Sequence, residues 1–474
     1  MIHKYKMNNY NIVLDVNSGA IHVVDDLTFD ILDMHEENIS GRNIIDTYPK
    51  EEVGECIKEI NELINRNLLF SKDTYLDSLE EIENREPVVK AMCFHVTHDC
   101  NLKCSYCFAD EGEYYGSKSL MSFEVGKKAL DFLIENSGNR RNLEVDFFGG
   151  EPLMNFEVVK KLVAYGREIE KIHNKNFRFT ITTNGILLDE EKEQFINDNM
   201  QNVVLSLDGR KEINDKYRKT KNNQGSYDIV LSKYQRLIKN RIEKEAEKNL
   251  KNDTEKNLGN RVGENQSYEP YHHYIRGTFT RENLDFTKDV VHFLENGFRQ
   301  ISIEPVVLPD DNELAIKSDD IESINNEYEN LALKIIDLKK EYDFNFFHFM
   351  IDLEGGPCVA KRLVGCGAGT EYLAVTPTGD LYPCHQFVGL EDFLLGNLET
   401  GITKKNLVED FKNCNVHTKE DCRDCWAKFY CSGGCLSNAY IFNKDIYKPY
   451  EIGCELQKKR TECALMLKAE EYST

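Results

Sequence analysis

Positive charge is scarce in this chain. Its 474 residues carry 59 lysines and arginines against 82 aspartates and glutamates, a formal net charge of −23. A surface this acidic repels phosphate backbones, so nucleic acid is not an expected partner. Long apolar runs are missing too. No stretch approaches the roughly 18 apolar residues of a membrane span. The first residues, MIHKYKMNNYNIVLDV, hold no apolar core of signal-peptide length. The expectation is a cytoplasmic protein with no membrane association. There is no internal repeat to suggest a solenoid. Disulfides are disfavoured in the cytoplasm, yet the chain has fifteen cysteines, so clustered thiols point to metal. With 41% hydrophobic residues it can build a sizeable core, and its length suggests two to three domains.

Residues 1–74 read as one small unit. HKYKMNNYNIVLDVNSGAIHVV alternates and breaks at NN and NSG, predicting three short antiparallel strands. Three helices follow, over DDLTFDILDMH, SGRNIIDTYP and KEEVGECIKEINELINRNLLF, with starts marked by Asp26, Ser40 and Pro49. The charged residues 75–90 read as a linker. From 91 to 340 the rhythm changes. Six apolar runs, AMCFHVT, LEVDFFGG, FRFTITTNG, NVVLSLDG, HYIRGTFTR and QISIEPVV, alternate with helical patterns. This predicts parallel βα units and an α/β fold, a partial (βα)6 barrel of the TIM type. Polar residues 239–268 are expected to form a flexible insertion between the fourth helix and the fifth strand. In residues 341–474 periodicity fades. Nine of the fifteen cysteines lie between Cys358 and Cys454, which predicts a domain organised around metal.

The stretch HDCNLKCSYCF places Cys100, Cys104 and Cys107 within eight positions, directly after the first barrel strand. Active sites of βα barrels lie at the C-terminal ends of strands. A [4Fe–4S] cluster commonly takes four thiolates. Three would leave one iron open to chelate the amino and carboxylate groups of a small molecule. A zinc or structural thiol cluster is the plainer reading, but zinc sites usually supply four ligands. The spacing C-x3-C-x2-C, with Tyr106 before the last cysteine, resembles the signature of the radical S-adenosylmethionine (SAM) superfamily. The resemblance implies a cluster whose open iron binds SAM and releases a 5′-deoxyadenosyl radical. FFGGEPL resembles the GGEP element of the same family, with Gly149 and Gly150 approaching the ligand and Glu151 receiving its ammonium group. At later strand ends the resemblance assigns Asn184, Ser206 and Asp208 to SAM. Arg218 either faces the SAM carboxylate or is a surface cation.

A second constellation lies near the C-terminus. Cys422, Cys425, Cys431 and Cys435 have the spacing C-x2-C-x5-C-x3-C, Cys454 follows, and upstream stand Cys366, Gly379 and Cys384. The pattern resembles the seven-cysteine SPASM domain of peptide-modifying radical SAM enzymes. The resemblance implies two auxiliary [4Fe–4S] clusters, making three in all. Cys366, Cys384 and Cys435 would hold the first, and Cys422, Cys425, Cys431 and Cys454 the second. Seven ligands are one short of eight. Either Cys358 completes the set or one iron is open to a substrate thiol. Cys56, Cys93, Cys463 and Cys414 read as inert thiols. His385 directly follows Cys384, where sulfatase-maturing relatives have an acidic base, and is the candidate for proton transfer.

The three strands and three helices at the N-terminus resemble the RiPP recognition element, a winged-helix-like domain that captures the leader of a ribosomally made precursor by strand addition. A DNA-binding winged helix fits poorly, because its last helix is acidic. Taken whole, the chain resembles SPASM-type maturases, most of all those of six-cysteine SCIFF peptides. The resemblance implies a sactisynthase-like enzyme that installs thioethers in a cysteine-rich precursor, fed by a donor such as flavodoxin or ferredoxin in an oxygen-poor cytoplasm. The rivals are carbon–carbon crosslinking, formylglycine formation, and a non-catalytic regulator that binds metal and peptide. Metal analysis of anaerobically purified protein separates the last. About 12 irons per chain are expected from three cubanes, whereas zinc alone marks the regulator.

Overall fold

A computed structural model describes residues 1–37, 47–114, 116–257, 272–351 and 359–473. It opens with strands β1 (Ile2–Met7), β2 (Tyr10–Asp15) and β3 (Ile21–Val24), antiparallel and in that order. Helices α1 (Asp26–Glu37) and α2 (Lys50–Asn65) cover them, packing Leu27, Ile31, Val53 and Ile60 on Ile2 and Val13. Asp25, not Asp26, starts α1: its carboxylate accepts the Thr28 amide at 2.8 Å, while Asp26 is drawn to Lys6 and Asn11. Pro49 precedes α2. Ser40 and most of the expected middle helix lie outside the described residues. The expected linker is not without structure, because helix α3 (Leu76–Asn84) occupies its centre.

The barrel region builds one large sheet. Strands β4 (Ala91–Thr97), β6 (Asn142–Gly149), β7 (Asn176–Thr183), β8 (Asn202–Ser206), β10 (His272–Phe279) and β11 (Gln300–Pro305) lie parallel and adjacent in chain order. Two short strands, β5 (Leu102–Cys104) and β9 (Arg218–Thr220), pair with each other apart from it. Helices α4 (Phe123–Glu135), α5 (Phe156–His173), α6 (Glu190–Asn199), α7 (Lys211–Tyr217), α8 (Tyr227–Asn257), α9 (Thr287–Glu295) and α10 (Ile321–Leu338) supply the crossovers and the return. Alternation sets the packing. On β7, Phe177, Phe179 and Ile181 are buried, and Phe179 meets α5 at Gly166. Phe147 stacks on Phe179 from the neighbouring strand. The even-numbered neighbours face the other way, and Thr182 reaches the site described below.

One expectation is corrected. Residues 239–257, read as a flexible insertion, continue helix α8, while 258–268 lie outside the described residues. The stretch is rich in glutamate and lysine, which are strong helix formers. Buried Arg241 anchors the helix by donating to the carbonyl oxygens of Met200 and Gln201 at 2.8 and 2.9 Å. The polarity there marks a solvated helix face rather than the absence of structure.

Beyond residue 340 the sheet continues. β12 (Asn345–Phe346) pairs with β11, and β13 (Tyr372–Val375) lies parallel to β4 on the far side. β14 (Asp380–Tyr382), β15 (Gly396–Asn397) and β16 (Gly401–Ile402) extend it antiparallel to eleven strands. The C-terminal domain is thus joined to the barrel by backbone hydrogen bonds. A last helix, Glu451–Ser473, runs back to the N-terminal sheet. There His3 Nε2 lies 3.0 Å from Glu462, and the Tyr5 hydroxyl donates to the Glu462 carbonyl at 2.7 Å. Among the described residues no helix is long and apolar enough to cross a membrane.

Asp15 holds the N-terminal unit closed. Its carboxylate accepts from the Ser18 amide at 2.9 Å and the Ser71 amide at 3.0 Å, and from both serine hydroxyls. These bonds hold the carboxyl below its usual range although burial opposes them. Its contribution is therefore present above the unfolded carboxyl pKa and lost as pH falls through the lower folded one. Asp15→Asn should speed hydrogen exchange at the Ser18 and Ser71 amides at pH 7, by the equivalent of about 1–3 kcal/mol. The gap to wild type should close at acid pH, where Asp15 is itself protonated.

Candidate active site

The loop after β4 carries the first cysteine triplet, and the end of β6 locks it in place. Gly150 donates its amide to the Thr97 carbonyl at 2.9 Å, and Glu151 to the Asp99 carbonyl at 3.0 Å. A Cβ at Gly149 would stand 2.1 Å from the Thr97 oxygen, and one at Gly150 2.0 Å from the Asp99 oxygen. The two glycines let one backbone lie directly on the other. Downstream, β5 pairs with β9 so that Cys104 stands opposite Arg218.

Tyr106 is fixed from two sides. Its hydroxyl donates to Asp208 at 2.5 Å and accepts from Arg218 Nη1 at 2.9 Å. Burial pushes the Asp208 carboxyl up to about 6 against the pull of Arg218. Arg218 itself is half-buried, is engaged by Tyr106 and lines the cavity, which favours the first of its two readings over a surface cation.

Two expected SAM contacts do not line the cavity. Asp208 lies behind Tyr106 and accepts the Thr278 amide at 3.1 Å. Glu151 is fully buried and its carboxylate is used internally. It accepts from the Leu153 amide at 3.0 Å, the Thr183 hydroxyl at 2.8 Å and the Asn184 amide at 2.7 Å. Glu151 therefore ties the end of β6 to the end of β7, a positioning role that GGEP alone does not reveal. Asn184 stays on the wall, donating to Asn101 at 2.8 Å and lying 3.6 Å from the Cys100 sulfur. Ser206 is on the wall too.

All of this surrounds a cavity of about 880 Å³. Its wall holds Cys100, Cys104 and Cys107 together with Gly149, Gly150, Tyr106 and Arg218, and on the other side His385, Cys431, Cys435 and Cys454. The C-terminal thiols fall into two neighbourhoods. Burial raises Cys454 to about 12, and Cys431, Cys422 and Cys425 add to the effect. Burial likewise raises Cys384, whose sulfur neighbours are Cys435 and Cys366. Among the described residues no group of three His, Cys, Asp or Glu side chains is arranged to hold a single metal ion; Cys358 lies outside the described residues. Cys56, Cys93, Cys414 and Cys463 are buried among apolar neighbours, and Cys414 donates to the Ile446 carbonyl at 3.3 Å.

The donor set fits iron–sulfur clusters. Burial raises Cys100 to about 12 and Cys104 to about 11, so these thiols ionise only with a cation beside them. His385 sits against Phe148, ring centroids 5.1 Å apart, and 3.3 Å from the Tyr372 hydroxyl. Burial lowers it to about 4, assisted by Arg276, so its imidazole is neutral near pH 7. His95 and His98 pack on Tyr114 and each other away from that wall. Trp426 stacks on His3 of the N-terminal unit.

The sequence reading missed Tyr234, Arg276 and Arg460. Tyr234 places its hydroxyl 3.2 Å from the carbonyls of Thr183 and Ser206, tying β7 to β8. Arg276 and Arg460 line the cavity. Only Arg276 gave a signal, as a charge inside an apolar strand run.

Residues 94–249 match the radical SAM superfamily, and residues 366–426 match an iron-sulfur cluster-binding domain, SPASM. The cysteine-type anaerobic sulfatase-maturating enzyme of Clostridium novyi is 22% identical over 361 residues, 72% of this chain and 86% of the relative. Native anSMEcpe, solved with bound AdoMet and the Kp18Cys peptide, superposes with a TM-score of 0.61 at 21% identity, over 82% of this chain and all of that one. SuiB of Streptococcus suis bound to S-adenosylmethionine gives 0.50 at 16%, over 95% of this chain and 98% of that one. The chain therefore has the radical SAM fold, mostly parallel α/β, followed by a SPASM domain.

Gly150→Ala tests the backbone contact beneath the triplet. The added methyl meets a main-chain oxygen, which cannot swing aside as a side chain would. The variant should melt several degrees lower, a loss of about 1–3 kcal/mol for overpacking. Gly54→Ala, where the added Cβ has nothing within 4 Å, should not lower the melting temperature.

Proposed function

We propose that this chain is a radical SAM peptide maturase that joins a cysteine sulfur to a carbon of another residue in a cysteine-rich, ribosomally made precursor. One observation carries the reading: the N-terminal triplet and three of the seven C-terminal thiols open onto the same cavity. A substrate there is within reach of both.

Cys100, Cys104 and Cys107 would hold the SAM-binding [4Fe–4S] cluster. Cys366, Cys384 and Cys435, with Cys422, Cys425, Cys431 and Cys454, would hold two auxiliary ones. When bound, the first cluster and SAM supply a hydrogen-atom acceptor that leaves as 5′-deoxyadenosine. Arg218, Asn184 and Ser206 bind SAM from the strand ends, and Tyr106 holds Arg218 in register. The backbone at Gly149 and Gly150 keeps the cysteine loop close. Joining S–H and C–H into S–C removes two electrons and two protons. One hydrogen atom leaves with 5′-deoxyadenosine, so one electron and one proton remain; an auxiliary cluster held by the C-terminal thiols would supply the acceptor for the electron. His385, whose imidazole lines the cavity, is the candidate to take the remaining proton.

The precursor's leader would bind the N-terminal unit. Among the described residues its β3 has a strand neighbour on one edge only, with Val23 half exposed. A leader strand can add there. A polypeptide substrate is also supported by the Clostridium novyi relative, named for maturing a sulfatase, and by the peptide bound to anSMEcpe. That relative favours formylglycine formation as the second reading, against which stands His385 in place of an acidic base. The electron donor would be a flavodoxin or ferredoxin.

Anaerobic incubation of the reconstituted protein with SAM, a reductant and a cysteine-rich peptide tests the proposal. Tandem mass spectrometry should show a product lighter by two hydrogens per crosslink, with one thiol consumed per crosslink. Cys104→Ala should abolish 5′-deoxyadenosine. A formylglycine product would replace the thioether reading, and wild-type protein that never forms 5′-deoxyadenosine would end both.

A further inference from the structure

Besides the cysteine triplet, the cavity wall carries a second polar cluster. Arg460, on the C-terminal helix, is only 8% exposed. Its Nε donates to the Tyr328 hydroxyl at 2.8 Å, while its Nη2 is buried without a hydrogen-bond partner. Arg276, near the end of β10, extends a side chain that is 55% exposed and lies 3.8 Å from Glu304 Oε1. Glu304 is itself engaged, accepting from Ser302 at 3.1 Å with His348 Nε2 3.3 Å away. All three of Arg276, Glu304 and Arg460 line the cavity.

The charge count leaves this cluster positive. Burial lowers the His348 pKa, and Glu304 is held below its usual range against its own burial by His348, Arg276 and Arg460. Two guanidinium groups against one carboxylate leave one positive charge in an otherwise acidic protein. A buried guanidinium with an unused N–H is costly unless something completes it. Guanidinium forks match carboxylates in two-point geometry, and carboxylates are the ordinary anions of a ribosomally made peptide.

We propose that Arg460 and Arg276 form a carboxylate-binding subsite that receives an acidic side chain of the substrate near the residue being modified. This rests on the peptide-maturase reading for the identity of the ligand, though not for the chemistry of the subsite. An acidic side chain held here places the neighbouring residue between the triplet and the C-terminal thiols. Arg276 and Arg460 would thus select the sequence around the crosslink.

The test uses the reconstituted full chain under anaerobic conditions, with SAM bound. The probes are a capped cysteine hexapeptide carrying one glutamate, its glutamine twin, and N-acetylglutamate. Wild type should bind the glutamate peptide about tenfold more tightly than the twin, about 1.4 kcal/mol. In Arg460→Gln and Arg276→Gln the preference should fall within twofold while affinity for the twin holds. Arg276 is half exposed, so its variant serves if the Arg460 variant does not fold. Equal binding of the two peptides by wild type, or a preference that survives both substitutions, overturns the subsite and leaves the maturase reading standing. Loss of SAM affinity in the variants with the peptide preference intact also overturns it, by assigning the cations to SAM. Where neither peptide binds, N-acetylglutamate decides. A rise in wild-type melting temperature that both variants lack keeps the subsite and removes the peptide; no rise removes both.

Discussion

The hydroxyl of Tyr106, 2.5 Å from Asp208 and 2.9 Å from Arg218, is the contact on which the site depends. A loop carrying three cysteines has little reason to hold one shape. This one is held because its tyrosine ends inside the barrel between a carboxylate and a guanidinium. Asp208 is buried while Tyr106 and Arg218 are half-buried; removing Tyr106 would leave the buried carboxylate short of a donor, a cost of about 1–3 kcal/mol. The same arginine reaches the cavity, and its strand pairs with the strand of Cys104. Fixing Tyr106 therefore fixes a thiol and a cation together.

Around that point the strand ends are tied into a continuous rim. Thr97, at the end of β4, holds the Gly150 amide after β6. Glu151 carries the connection to Thr183 and Asn184 at the end of β7. Tyr234 bridges the carbonyls that end β7 and β8. Asp208, after β8, accepts the Thr278 amide of β10. The first tie is backbone to backbone; the others use a side chain to satisfy backbone or hydroxyl groups that would otherwise be buried unpaired. The result is a wall whose polar groups are oriented by the protein alone, the condition for a site that binds without reorganising.

The local part of this was legible in the sequence. Alternating apolar runs and helical patterns gave the parallel strands in their order, because side-chain periodicity is a local property. Cysteine spacing marked the thiols that matter for the site, and the triplet shares one cavity with Cys431, Cys435 and Cys454. What was not legible is non-local. GGEP suggests a carboxylate facing a ligand, yet Glu151 turns inward, because its nearest donors lie on a strand more than thirty residues away. Asp208 retreats behind Tyr106 for the same reason. Residues 239–257 are polar in composition but are pinned by a single buried arginine, which composition cannot show. Arg460 carries no motif; only the return of the last helix brings it to the cavity.

That last helix decides how the two ends of the chain relate. Cys454, Gln457 and Arg460, three residues apart, share one face and line the cavity. Glu462 and Glu470 lie well round the helix, where they hold His3, Tyr5 and Tyr10 of the N-terminal sheet. One element thus presents the thiol of Cys454 and the guanidinium of Arg460 on one side and anchors the proposed leader-binding sheet on the other. A helix of 23 residues is stiff over its length. Under the proposed function, it fixes the separation between the captured leader and the reacting carbon. Selection then becomes partly geometric: a precursor must have enough chain between leader and cysteine to cross that interval, and an acidic group in the right place when it arrives.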